Sequence, residues 1–359
     1  MKTVGTDTGY FKTVVKQHKK AIDADITDYV EYLKSSTKEQ YGQGSQDAID
    51  AYTDILNRGG KRLRGALVIE GYKMSGGTNQ AMIMQAARAI EMIHASMLVI
   101  DDVQDNSLLR RGGPTAHVQL ESIYKDRHLA ETLATNAALL GDHGAMMILA
   151  NLDASAELRS NVMSIVNRTM VVTIHGQIAD PLNQLNENLT EADVAKVQEW
   201  KTATYTILNP LHVGMVLAGA GCEVTDGITP FAKNAGQAFQ ITDDIIGTFG
   251  DKQDTGKNSI DDIREGKRTL LTVHALDRAI PADKEFLLKC LGNQQLTAKD
   301  FARCQEIIVS TGSLQYTQVK AKKYVETARK SLHDNSSLWS DSGTEFLDGL
   351  AQYLLLRIN

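Results

Sequence analysis

Apolar residues recur along most of this chain at spacings of three and four, as in Val162, Ile165, Val166, Met170 and Val171, the period of one helical face. Alternation of apolar and polar positions bounded by turn residues occurs nowhere over a convincing length, so the pattern predicts a chain that is nearly all helix. Glycines mark the expected helix ends, at Gly59-Gly60, Gly76-Gly77, Gly112-Gly113 and Gly247 to Gly250. The fold class read from this is all-α, about ten or more helices forming one large bundle. With no Ser/Pro-rich linker, residues 1–359 read as a single domain. The most apolar stretch, Ala81 to Ile100, is interrupted by Gln85, Arg88, Glu91 and His94. It falls short of the roughly 18 unbroken apolar residues a membrane span requires. It is predicted as a buried helix, and no transmembrane segment is expected.

Composition narrows the class. A chain of 359 residues with 42% hydrophobic and 6% aromatic content buries one large core or two ordinary ones, which excludes disorder and a fibre. A net charge of −6 provides no overall field for nucleic acid, so basic residues that matter must act locally. Cys222, Cys290 and Cys304 form no close pair in sequence and are odd in number, which fits a reduced cytoplasm and neither a disulfide scaffold nor a zinc site. The first forty residues carry Lys16, Lys19, Lys20, Asp23, Asp25 and Asp28 and lack the apolar core of an export signal. The expectation is a cytoplasmic protein.

The candidate chemistry sits where apolar helices end. Asp101-Asp102-Val103-Gln104-Asp105 closes the Ala81–Ile100 helix, and Asp101 and Asp105, four apart, share a face and repel unless a cation bridges them. His94, two turns earlier, points the same way. Leu109-Arg110-Arg111-Gly112-Gly113-Pro114 follows as a basic clamp, so an acidic cradle for Mg²⁺ adjoins a site for phosphate. A second acidic pair, Asp243-Asp244, ends another apolar helix, with Gly247 where a third acid would fall. Gly59-Gly60-Lys61-Arg62-Leu63-Arg64 reads as a glycine-punctuated helix start in which Lys61 and Arg64 share one face while Arg62 points elsewhere. Taken alone, each segment also reads as a solvated acidic helix end or basic turn. No convincing Ser/His/Asp or Cys/His constellation accompanies them.

Together these segments resemble the trans-isoprenyl diphosphate synthases, the polyprenyl synthase family, and within it the geranylgeranyl diphosphate synthases. The likeness covers about Asn57 to Arg268. It rests on GGKRLR at Gly59–Arg64, EMIH at Glu91–His94, DDVQDNSLLRRGGPTAH at Asp101–His117 and GQIAD at Gly176–Asp180. KTATYT at Lys201–Thr206, FQITDD at Phe239–Asp244 and GKNSIDDIREGKRT at Gly256–Thr269 complete it.

The resemblance implies an all-α bundle, usually a homodimer, with two aspartate motifs facing a central cavity. It assigns Asp101, Asp102, Asp105, Asp243 and Asp244 to several Mg²⁺ ions that grip an allylic diphosphate. It assigns Arg110, Lys201, Lys257 and Lys267 to that same diphosphate, and Lys61, Arg64, His94 and Arg111 to the diphosphate of isopentenyl diphosphate. Thr202 and Gln240 fall near the reacting carbons. Gly247, and Ile100 and Leu108 in place of polar residues, depart from many relatives.

The expected reaction is condensation of isopentenyl diphosphate with an allylic diphosphate to give a longer trans-prenyl diphosphate. Met97 and Ile93 lie one and two turns below Asp101, about 6 and 12 Å by helical rise, and Ser96 is small, so a product longer than fifteen carbons, geranylgeranyl diphosphate, is expected. A farnesyl or longer product remains open. The alternatives are a class I terpene cyclase, which has no use for a second diphosphate site, and a non-catalytic regulatory subunit, which would be expected to lose its acidic motifs.

Overall fold

A computed structural model describes residues 8–186, 188–250 and 259–358 of the chain. By internal contacts the chain forms two compact units. The first takes Lys12–Ile165 and Pro210–Gly221; the second takes the chain up to Phe11, Val166–Asn209, and Cys222 onward.

In the first unit the long helix α1 (Gly9–Tyr41) leads to α2 (Gln43–Asn57), α3 (Leu63–Met74) and α4 (Gln80–Gln104). The helix read at Ala81–Ile100 is therefore a core helix, packed on α3 and on α6 (Arg127–Ala150), with Ile83, Ala86, Ala87 and Ile90 fully enclosed. By length and composition alone α4 could cross a membrane, but 61% of its apolar window is buried within the fold. Local chemistry sets its start: the Asn79 side chain accepts the Met82 N–H at 3.1 Å, satisfying a donor that the first turn leaves orphaned. The Asp126 carboxylate does the same for α6 through the Leu129 N–H at 2.9 Å. Between α4 and α5 (Ala116–Tyr124) lies a two-strand ladder, β1 (Leu109–Arg110) paired antiparallel with β2 (Gly113–Pro114). Strands of two residues are too short for any alternation to announce them, and the described chain is otherwise nearly all helix. The turn residues Arg111 and Gly112 both take positive φ, 50° and 78°, the conformation that a two-residue hairpin demands. Helix α9 (Asn209–Leu217) completes the unit.

The second unit holds most of α7 (Ala156–Gln184), then α8 (Glu191–Gln198), a π-helical turn at Glu199–Leu208, and α10 (Cys222–Phe249). It continues through α11 (Asp261–Arg264), α12 (Leu270–Arg278), α13 (Pro281–Cys290), α14 (Ala298–Ser310), α15 (Ser313–Asp334) and α16 (Asp341–Ile358). Helix α10 packs on the π segment, α15 and α16. A cluster of Ile241, Ile245, Ile263, Leu271, Leu287 and Ile307 fastens α10 to the later helices. Helix α10 ends at Phe249, within the Gly247–Gly250 cluster that marked a helix end in the sequence, with Gly247 in its last turn and Gly250 just beyond it. Cys290 and Cys304, apart in sequence, meet in this cluster and share a hydrogen bond; all three cysteines are free thiols. Burial, and the neighbouring Cys290 sulfur, push the Cys304 thiol far up.

Candidate active site

In the first unit, α4 ends in the acidic motif and the hairpin returns Arg110 to it. The Arg110 Nε donates to both Asp102 oxygens, at 2.9 and 3.1 Å, its terminal nitrogen bonds the same carboxylate, and Asp101 lies at 3.6 Å. Asp102 is fully buried, so this guanidinium is its countercharge, a charge-assisted pair that neither partner could leave without cost. The Asp105 N–H closes the helix on the Asp101 carbonyl at 2.8 Å. Asp101 and Asp105 are half-buried.

A basic cluster forms beside it. The Arg64 guanidinium donates to His94 Nε2 at 3.2 Å. Burial, then the charges of Arg64, Arg111, Arg110 and Arg62, hold the His94 pKa well below the ordinary histidine value, so the imidazole is neutral with its proton on Nδ1. Burial, with Arg62 next, lowers the Arg111 pKa to about 10. Four arginines thus crowd one neutral imidazole, an arrangement that attracts an anion. Lys61 is exposed and precedes α3, which starts at Leu63, so the helical-face argument that paired it with Arg64 does not hold.

In the second unit, Lys201 and Thr202 lie on the π-helical turn, a rare geometry found mostly at functional positions. That turn is gripped closely: a Cβ on Gly176 would stand 2.6 Å from the Lys201 nitrogen, and one on Gly236 2.6 Å from the Ala203 Cα. Lys201 Nζ reaches Asp180 at 2.6 Å. At the end of α10, Asp244 is buried and accepts from Gln198 at 2.9 Å and from Gln240 at 2.7 Å. Burial, then the nearby Asp262 charge, pushes its carboxyl up to about 8. Arg357 of α16 lies 2.9 Å from Asp243. Lys267 bonds Asp262 at 3.2 Å and also pairs with Glu265. Lys257 lies outside the described residues.

The structure thus brings Arg64, His94, Arg110 and Arg111 together with the first acidic motif, and Gln240 and Lys267 into contact with acids of the second unit. Sequence reasoning did not single out Gln198, Arg357, Arg62 and Glu91. Each acts through a partner at least 29 positions away, which no local period reports. Asp180 and Asp262 lie within the motif segments Gly176–Asp180 and Gly256–Thr269, and their partners Lys201 and Lys267 are predicted site residues. Among the described residues no three His, Cys, Asp or Glu side chains form a preassembled cage. The acids fit Mg²⁺ all the same, since that ion takes one or two carboxylates and completes its shell with water and ligand phosphate oxygens.

An all-helical protein with carboxylate pairs at the ends of apolar helices, each attended by Arg or Lys, belongs to the class of enzymes that handle diphosphates with the help of divalent cations. The chain belongs to the polyprenyl synthetase family, matched over residues 46–308, and is a prenyl diphosphate synthase. It is 32% identical over 315 residues to the geranylgeranyl diphosphate synthase of Saccharolobus solfataricus, covering 86% of this chain and 90% of the relative. Against the geranylfarnesyl diphosphate synthase of Aeropyrum pernix the identity is also 32%, over 85% of this chain and 92% of that one. The crystal structure of geranylgeranyl pyrophosphate synthase from Corynebacterium glutamicum, complexed with isoprenyl diphosphate and magnesium, superposes with a TM-score of 0.88 at 28% identity. That match covers 98% of this chain and 99% of that one.

Proposed function

We propose that the chain condenses isopentenyl diphosphate with an allylic diphosphate, with Mg²⁺ as cofactor, and releases geranylgeranyl diphosphate. The observation that carries this reading is the arginine cluster around neutral His94, because a cyclase has no use for a second diphosphate site. Arg64, His94 and Arg111, with Lys61, hold isopentenyl diphosphate, the neutral imidazole donating from Nδ1. Asp101, Asp102, Asp105, Asp243 and Asp244 hold the metal ions. Arg110, Lys201, Lys257 and Lys267 bind the allylic diphosphate after exchanging their present carboxylate partners for phosphate oxygens. Bound Mg²⁺ supplies the positive charge that stabilises the departing diphosphate. Thr202 and Gln240 present oxygen dipoles to the developing allylic cation, and the clamp fixes the attacking double bond at bonding distance. The proton released on bond formation passes to the diphosphate, so no protein nucleophile is needed.

We read residues 1–359 as one catalytic domain, since the divisions after Phe11 and Ile165 fall inside α1 and α7 and in no linker. A homodimer is supported by an apolar stripe on α7, where Val171, Ile174, Ile178 and Leu182 share a face and are 49–58% exposed. On α6, Leu140 and Met147 are likewise exposed. Three free cysteines favour a cytoplasmic location.

The test is incubation of the purified protein with Mg²⁺, labelled isopentenyl diphosphate and each of dimethylallyl, geranyl and farnesyl diphosphate, followed by chain-length analysis. A ladder ending at twenty carbons supports the reading; no incorporation with any primer refutes it. Asp101→Ala should abolish turnover in a protein that still folds.

A further inference from the structure

Arg62 is a buried residue in a conformation that non-glycine residues rarely adopt: it is 4% exposed with φ at 50°. Three partners hold it there. Its Nε donates to Asp23 at 2.7 Å, one terminal nitrogen to Glu91 at 3.3 Å, and the other to the Leu56 carbonyl at 2.7 Å. Glu91 is 3% exposed and uses its second oxygen on the Gly65 N–H at 2.8 Å, a donor in the first turn of α3 that has no partner within its own helix. A Cβ on Gly65 would stand 2.8 Å from the Ile22 side chain, so the backbone is pressed against α1 at this point.

One turn beyond Glu91 on α4 stands His94. Glu91 therefore fixes Gly65 while His94 meets Arg64, and two consecutive residues of α3 are pinned to two residues one turn apart on α4. Arg111 closes the cluster by lying over Gly60, where a Cβ would be 2.7 Å from its guanidinium, and by reaching the Ile55 carbonyl at 3.4 Å. The Glu91 charge supports protonation of Arg111, against the charges of Arg62, Arg110 and Arg64.

We propose that Glu91 and Arg62 are positioning residues for the isopentenyl diphosphate clamp. They hold the loop Gly59–Arg62 and the start of α3 so that Lys61, Arg64 and Arg111 converge on one diphosphate, and neither touches the substrate. This inference rests on the assignment of the clamp made above.

The test is steady-state kinetics of the full chain with Mg²⁺, varying each substrate while the other is saturating, for Glu91→Gln, Arg62→Lys and Arg64→Gln. Glu91→Gln keeps an acceptor for Gly65 and places an amide against Arg62. It should raise the KM for isopentenyl diphosphate by about tenfold and leave the KM for the allylic diphosphate within about twofold. Arg62→Lys keeps the charge and loses the three-way fork, so it should behave alike; a wild-type KM there would overturn the positioning role. Equal rises in both KM values, or a fall in kcat alone, would mean a general structural role and would also overturn it. Arg64→Gln separates the two levels. If it leaves the KM for isopentenyl diphosphate unchanged, the clamp assignment itself fails; if it raises that KM while Glu91→Gln does not, only the scaffold fails. Should Glu91→Gln not fold, Asp23→Asn at the 35%-exposed outer edge of the network should still raise that KM about threefold, and no rise would overturn the inference.

Discussion

Arg357, in the last turn of α16, holds its guanidinium 2.9 Å from the Asp243 carboxylate, with the rings of Phe239 and Tyr353 each 5.9 Å away. The same device recurs: Arg110 on Asp102, Lys201 on Asp180, Lys267 on Asp262. In each unit a cation from the same unit neutralises an acid that would otherwise face its neighbours uncompensated. A metal ion that takes Asp243 competes with Arg357 for that carboxylate.

Arg357→Gln should therefore have two opposite effects. The metal-free protein should lose about 0.5 kcal/mol at most, because Asp243 is 39% exposed and solvent screens the pair. Mg²⁺ should bind several-fold more tightly, because its competitor is gone. Calorimetric titration of the substrate-free protein measures this, and an unchanged Kd would mean that the Arg357 pair does not compete with the ion.

Gly247 raises a different point. The motif lacks an acid there, which suggests that restoring one would strengthen the second metal site. The space is already taken: a Cβ on Gly247 would stand 2.3 Å from an Asp262 carboxylate oxygen. Gly247→Asp should drive two like charges together and overpack the end of α10, costing roughly 1–3 kcal/mol, with activity reduced. Thermal denaturation and turnover check this. A stable, more active variant would show that Asp262 moves aside freely.

How far the sequence reports this site depends on the distance over which each interaction acts. Helix α4 and its acidic end were legible because a 3.6-residue period and a motif are both local. The hairpin at Leu109–Pro114 was not, since two-residue strands have no period and the deciding feature is positive φ at Arg111. The Gly247–Gly250 cluster marked the end of α10 correctly, but the packing of Asp262 against Gly247, which leaves no room for a side chain there, has no local signal. The π turn carrying Lys201 is met closely by Gly176 and Gly236 from distant parts of the sequence, and the Arg62–Glu91 bond joins residues 29 apart. Pattern reading has no access to such contacts.

Asp244 gives a pH signature. Its folded-state carboxyl is raised to about 8 by burial, the Asp262 charge adding to it, whereas the unfolded group titrates near 3.8. Between those values the folded protein binds more protons than the unfolded chain, so stability from this group is full below 3.8 and is lost as pH rises through about 8. Asp244→Asn should flatten that part of the curve. The gap in Tm between the metal-free variant and the wild type should therefore shift in favour of the variant from pH 5 to pH 9, and a constant gap would show that Asp244 is ionised throughout.

Product length turns on the α4 face beneath Asp101. Met97, one turn below, is half-buried, and Ile93 beyond it is 1% exposed. Ser96 is small, but its room is not open: the Tyr52 hydroxyl, held by the Met92 carbonyl at 2.9 Å, lies 3.5 Å from the Ser96 hydroxyl. The two positions should therefore respond differently to a phenyl ring. Met97→Phe should shorten the main product by at least one five-carbon unit with little change in Tm. Ser96→Phe should collide with Tyr52 and cost about 1–3 kcal/mol of stability. Product chromatography and thermal denaturation on both variants decide it. An unchanged product from Met97→Phe would place the floor of the chain pocket on another helix.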